Sequence, residues 1–156
     1  MEELRRILLV EDSANDVELT LVALEENHLA NEVIVVRDGE EALNYLYRRG
    51  IFKLRLGGNP VVVLLDLKLP KVDGLEVLDQ IKSDPGLRRI PVVMVTSSRE
   101  EQDLIRSYDL GANGYVVKPV DFREFVDTIK EVGLFWAVVN EPPPGAIPAR
   151  TNTVNS

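Results

Sequence analysis

The chain contains no cysteine. That absence removes disulfide frameworks, thiolate metal sites and thiol nucleophiles, and it fits a reducing compartment. Its single histidine, His28, has no second imidazole to work with and reads as a surface residue rather than as a phosphodonor or ligand. Long hydrophobic runs are missing too. The apolar stretch that follows the charged N-terminus lasts only from Ile7 to Val10, too short for a signal-peptide core or a membrane span, so a cytoplasmic location is expected. No glycine-rich loop follows that stretch, which argues against nucleotide binding. Positive charge is scarce: 18 basic residues face 26 acidic ones, for a net charge of −8. Such a surface repels phosphate backbones and anionic lipid, so neither nucleic acid nor a membrane is expected as partner. An acidic patch can still recruit a divalent cation.

What is present is apolar and periodic. With 156 residues, 45% of them hydrophobic, the chain can bury one sizeable core but is too short for two ordinary domains. Strand-length apolar runs recur at Ile7–Val10, Val33–Val36, Val61–Leu65, Val92–Val95 and Tyr115–Val117, the pattern of parallel strands buried on both faces. Between them lie helical spacings: Val17, Leu21 and Leu24; Ala42, Leu43 and Leu46; Leu75, Leu78 and Ile81; Leu104, Tyr108 and Ala112. Ser13 and Asp16 resemble a capping box, Asp38-Gly39 opens the second helix, and Gly111 offers a left-handed cap after the fourth. Alternating strands and helices predict an α/β fold, a doubly wound five-stranded parallel sheet with helices on both faces. The domain is expected to span residues 1–140. Glu141-Pro142-Pro143-Pro144-Gly145 cannot continue a helix, so residues 141–156 are read as an extended Pro-rich tail. The basic stretch from Arg48 to Asn59 reads as a solvated surface insertion, with contact to a partner protein as the alternative.

Ligands of such sheets bind beyond the carboxyl ends of the strands. The residues expected there are Glu11 and Asp12 after the first strand, Asp66 after the third, Thr96 after the fourth and Lys118 after the fifth. Carboxylates gathered at one edge repel one another and raise their pKa values unless a cation intervenes. Mg2+ suits them, since it takes hard oxygen ligands and commonly combines one or two carboxylates with phosphate oxygens. Asp12 and Asp66 are the best direct ligands, with Glu11 close by or acting through water. A carboxylate beside bound magnesium can attack phosphorus, and Asp66, ending the central strand, is the candidate. Phosphoryl transfer needs positive charge and positioning, which Lys118 supplies, and the Thr96 hydroxyl can donate to a phosphoryl oxygen. An acid at one strand end is usually just solvated. Agreement among four separate strand ends is what carries weight.

Leu8-Leu9-Val10-Glu11-Asp12, Leu64-Leu65-Asp66-Leu67-Lys68-Leu69-Pro70-Lys71-Val72-Asp73-Gly74, Val95-Thr96-Ser97-Ser98 and Gly111-Ala112-Asn113-Gly114-Tyr115-Val116-Val117-Lys118-Pro119 together resemble the receiver domains of two-component response regulators. The resemblance runs from about Leu4 to Val139. It implies a flavodoxin-like receiver with strand order 2-1-3-4-5 and phosphorylation of Asp66 by a sensor histidine kinase. It further implies that the domain catalyses its own phosphorylation and slow dephosphorylation, rather than acting as an enzyme on other substrates. Glu11 and Asp12 would be the acidic pair, Thr96 and Lys118 the phosphoryl-binding residues, and the carbonyl of Lys68 a further magnesium ligand. Lys118-Pro119 would be a cis junction, Thr96 and Tyr115 a coupled switch, and Lys68 and Ser98 positions that tune hydrolysis. A haloacid-dehalogenase-like phosphohydrolase is the nearest enzymatic rival, but it requires an acid where Lys68 stands. A pseudo-receiver would have lost the acceptor or the acidic pair.

Phe122, Phe125, Val126, Ile129 and Trp136 share one face at helical spacing and read as core, whereas Leu134–Val139 is apolar on every side. Phe135 and Trp136 point about 100° apart on a helix, so one sheet covers at most one of them well. A homodimer with Phe122, Phe135 and Trp136 in its interface is therefore expected. The extended fifth helix, the tail and the long basic loop resemble single-domain regulators that partner phytochrome-type histidine kinases.

Overall fold

Ile7–Val10 forms a first strand, β1, whose four residues are all buried, as a run without a polar member requires when both its faces are covered. The computed structural model describes residues 6–25 and 33–118 together with Arg123, Glu124 and Asp127. After β1 come α1 (Ala14–Glu25), β2 (Val33–Val36), α2 (Gly39–Tyr47), a 3-10 turn (Gly50–Phe52), β3 (Val62–Leu65), α3 (Gly74–Ser83), β4 (Val92–Thr96), α4 (Glu101–Asp109) and β5 (Gly114–Val117). The strands form one parallel sheet in the order β2-β1-β3-β4-β5, as expected. Val61 precedes β3 rather than starting it, although its amide still donates to the Arg6 carbonyl at 2.8 Å. Arg123, Glu124 and Asp127 are helical and exposed. His28, Pro119, Phe122, Phe135, Trp136 and the tail lie outside the described residues.

Side chains alternate across each strand, so neighbouring residues feed different cores. Leu8, Val10, Val63, Leu65, Val92 and Met94 pack with Leu43 and Leu46 of α2 and Leu78 and Ile81 of α3. Ile7, Leu9, Val62, Leu64, Val93 and Val95 pack with Val17 and Leu24 of α1. Helices therefore cover both faces. Each large side chain withdrawn fully from water contributes about 1.5–3 kcal/mol, and Leu8, Leu64, Leu65, Leu78 and Ile81 are all in that position. The sheet's carboxyl edge is thereby held rigidly.

In α4 the spacing of Leu104 and Tyr108 does not mark the buried face: both are partly exposed, and the helix buries Ser107 instead. Ser107 tolerates burial because its hydroxyl donates to the Asp103 carbonyl at 2.7 Å. Ala112 is buried but lies beyond the helix end, where Gly111 adopts φ +105°. Ala112 and Gly111 donate to the carbonyls of Ser107 and Tyr108, the paired bonds of a Schellman cap.

The basic loop is not merely solvated. The Arg48 guanidinium donates to the carbonyls of Arg55 and Gly57, and Arg55 donates to those of Tyr45 at 2.9 Å and Gly58 at 3.0 Å. Arg55 also stacks 4.2 Å over the Tyr45 ring, so burial lowers its pKa while the stacking and hydrogen bonds retain its charge. Two of the loop's cations thus hold its backbone together, leaving Ile51, Leu54 and Leu56 exposed.

Candidate functional site

Hydrogen bonds that extend the sheet fix where the polar strand ends lie. The amide of Glu11 donates to Val36 at 3.0 Å, that of Asp66 to Val10 at 3.1 Å, and that of Lys118 to Thr96 at 2.7 Å. Each residue is one step past its strand yet still paired with the neighbouring one. Register therefore converts three distant sequence positions into one cluster.

Carboxylate oxygens of Glu11, Asp12 and Asp66 lie within 4.8 Å of one another. Asp12 is exposed, whereas Glu11 and Asp66 are buried. Burial pushes the Glu11 carboxyl up to about 7, helped by repulsion from Asp66 and opposed by Lys118. Burial likewise raises Asp66, with Lys118 opposing. The cluster is short of positive charge, as three acids at one edge must be.

Among the described residues, Lys118 is the cation that answers them. Its ammonium lies 2.7 Å from Glu11, 2.8 Å from Asp16 and 3.7 Å from Asp66, with only 10% of its side chain exposed. Burial on its own would lower its pKa, but the bonds to Asp16 and Glu11 and the attraction of Asp66 outweigh this and raise it.

Asp16 was not legible as part of this cluster. Its resemblance to a capping box explained it away, and only half of that box forms. Ser13 accepts from the Asp16 amide at 3.2 Å, but the Asp16 carboxylate turns to Lys118 and leaves Glu11 to accept from the Ser13 amide at 3.2 Å.

Thr96 is 1% exposed, and its hydroxyl accepts from the Ser98 amide at 3.2 Å. Tyr115, half-buried on β5, donates its hydroxyl to the Ser98 carbonyl. Lys68 lies in the loop after Asp66 with its side chain exposed. That loop is clamped where α3 begins: a Cβ on Gly74 would sit 2.1 Å from the Asp66 carbonyl oxygen, and the Gly74 amide donates to Leu67 at 2.9 Å. Glycine is needed here for close approach of two backbones. Among the described residues, no helix is long and apolar enough to cross a membrane.

The profile of the response regulator receiver domain matches residues 7–130. Response regulator Rcp1 of Synechocystis is 41% identical over 130 residues, which make up 83% of this chain and 87% of Rcp1. The crystal structure of its Mn2+-bound form gives a TM-score of 0.83 at 39% identity, covering 89% of this chain and 99% of that one. Phosphorylated RcpA, a cyanobacterial phytochrome response regulator, also gives 0.83, at 42% identity over 89% of this chain and 98% of that one. The bacteriophytochrome response regulator RtBRR is 65% identical with a TM-score of 0.72, covering 92% of this chain and 86% of that one.

Proposed function

The chain belongs to the response regulator receiver domain family of two-component signalling, and on that premise we propose that Asp66 is its phosphoacceptor, served by magnesium, Lys118 and Thr96. The observation that carries this reading is the convergence of Glu11, Asp12 and Asp66 within 4.8 Å with Lys118 3.7 Å from Asp66. The donor set is all oxygen and short of positive charge, which fits magnesium. Asp12 and Asp66, with Glu11 and the Lys68 carbonyl, would hold the ion. When bound, it neutralises charge on the phosphoryl oxygens.

The chain's own residues do the rest. An Asp66 oxygen forms the bond to phosphorus as the bond from phosphorus to the donor histidine nitrogen breaks, so the imidazole leaves. Lys118 faces the charge that spreads over the transferring group, and Thr96 turns its hydroxyl toward a phosphoryl oxygen. The domain in this way assists its own phosphorylation, and Lys68 and Ser98 set how readily water later reaches the acyl phosphate.

The partner we propose is a phytochrome-type histidine kinase, in line with RcpA and RtBRR. A homodimer through Phe122, Phe135 and Trp136 accompanies it. Phosphotransfer profiling tests the partner: purified phosphorylated kinases are mixed with the protein in Mg2+, and a phytochrome-type kinase should transfer fastest. Faster transfer from an unrelated kinase would overturn the partner assignment. Acetyl phosphate should also label the protein, and labelling that persists undiminished in excess EDTA would overturn the role of the metal.

A further inference from the structure

We propose that Asp16 is a positioning residue that detains the Lys118 ammonium, so that a phosphoryl group on Asp66 must win Lys118 away from it. The inference rests on Asp66 being the acceptor. Of the three acids around Lys118, Asp66 is the most distant at 3.7 Å, while Glu11 and Asp16 lie at 2.7 and 2.8 Å. Those two contacts are charge-assisted hydrogen bonds, the strong kind. Asp16 is not among the three acids whose oxygens converge for a cation. With Glu11 engaged by a cation that Glu11, Asp12 and Asp66 would hold, Asp16 would be the remaining carboxylate on Lys118 among the described residues outside the acceptor.

Asp16 is also held in place. It stands in the first turn of α1, its amide capped by the Ser13 hydroxyl and its carbonyl accepting from the Thr20 hydroxyl at 2.7 Å. With 29% of its side chain exposed, it can turn to water once Lys118 leaves. Glu11, buried, cannot. The release of Lys118 is thus tuned by a residue outside the metal and acceptor set.

Beryllofluoride, a phosphoryl mimic, reports the competition without turnover. Its affinity for the full chain in saturating Mg2+ is measured by calorimetry for the parent, Asp16→Asn, Lys118→Ala and the double variant, with Glu18→Gln as a charge control on the exposed side of α1. Asn keeps the shape and a weaker acceptor, so the helix start is retained, and thermal melts check this. Asp16→Asn should bind roughly three- to fivefold more tightly than the parent, the worth of one partly exposed ion pair. In the Lys118→Ala background the same substitution should change affinity by less than about twofold. Equal or weaker binding by a folded Asp16→Asn overturns the proposal. So does an equal gain in both backgrounds or a matching gain in Glu18→Gln, since either makes the effect general electrostatics. A parent that binds no beryllofluoride overturns the phosphoacceptor reading itself, and the inference with it.

Discussion

The Tyr115 hydroxyl donates to the carbonyl of Ser98 at 3.2 Å, and the amide of the same Ser98 donates to the Thr96 hydroxyl, also at 3.2 Å. Ser98 is therefore gripped from both sides, and its own hydroxyl donates to Asp103 in the first turn of α4. A change at Thr96 has a bonded route to α4. Ser98→Ala keeps both backbone bonds but cuts the link to Asp103. With beryllofluoride and Mg2+, the amide resonances of Thr96, Tyr115 and α4 should shift in the parent, while in Ser98→Ala those of α4 should shift far less. Undiminished α4 shifts would contradict this route. Tyr115→Phe should cost about 0.5–1.5 kcal/mol in urea unfolding, the net worth of one hydrogen bond.

Magnesium should stabilise the fold by mass action, because the carboxylates converge only when folded. At a hundredfold excess over its dissociation constant the gain is about 2.7 kcal/mol, several degrees in Tm. Asp12→Asn removes a ligand and should lose most of that gain. A Tm increase equal to the parent's would place the ion elsewhere.

Gly74→Ala should destabilise by about 1–3 kcal/mol, since overpacking forces backbone apart; a Cβ there meets the Asp66 carbonyl at 2.1 Å. Because the displaced backbone belongs to Asp66, labelling by acetyl phosphate should slow as well. A stable variant with parental labelling would show that the loop yields freely.

Lys82 holds three acceptors at once: the carbonyls of Arg88 at 3.0 Å and Ile90 at 2.7 Å, and the Asn113 side chain at 3.0 Å. Burial lowers its pKa, yet the bonds tie α3 to the segments entering β4 and β5. Lys82→Met should cost about 2–3 kcal/mol, as several acceptors lose a charged donor. Lys71→Met, which breaks exposed pairs at 3.5 and 3.8 Å, should cost less than about 1 kcal/mol. Equal losses in urea unfolding would refute the contrast.

The strands were readable because both faces of the sheet are covered, so each strand is a continuous apolar run bounded by turns. Their order was available only through resemblance to the family. The placement of Glu11, Asp12, Asp66, Thr96 and Lys118 at one edge of the sheet was readable because each lies at, or within two residues past, the end of a strand. Asp16 was not, since a first-turn acid after Ser13 already has a local explanation, and its bond to Lys118 spans 102 positions. The inward face of α4 was misread because periodicity marks apolar residues, and Ser107 is buried by satisfying its hydroxyl locally. Arg48 and Arg55 bind carbonyls, which carry no side-chain pattern at all.

The most direct test of the account asks which atom carries the phosphoryl group. Parent and Asp66→Asn are incubated with acetyl phosphate and Mg2+, checked for equal folding by circular dichroism, and the acid-labile label is located by peptide mass spectrometry after trapping the acyl phosphate. The expected result is a modified peptide containing Asp66 in the parent and none in Asp66→Asn. Undiminished labelling of Asp66→Asn, or a parental label on any other residue, would contradict it.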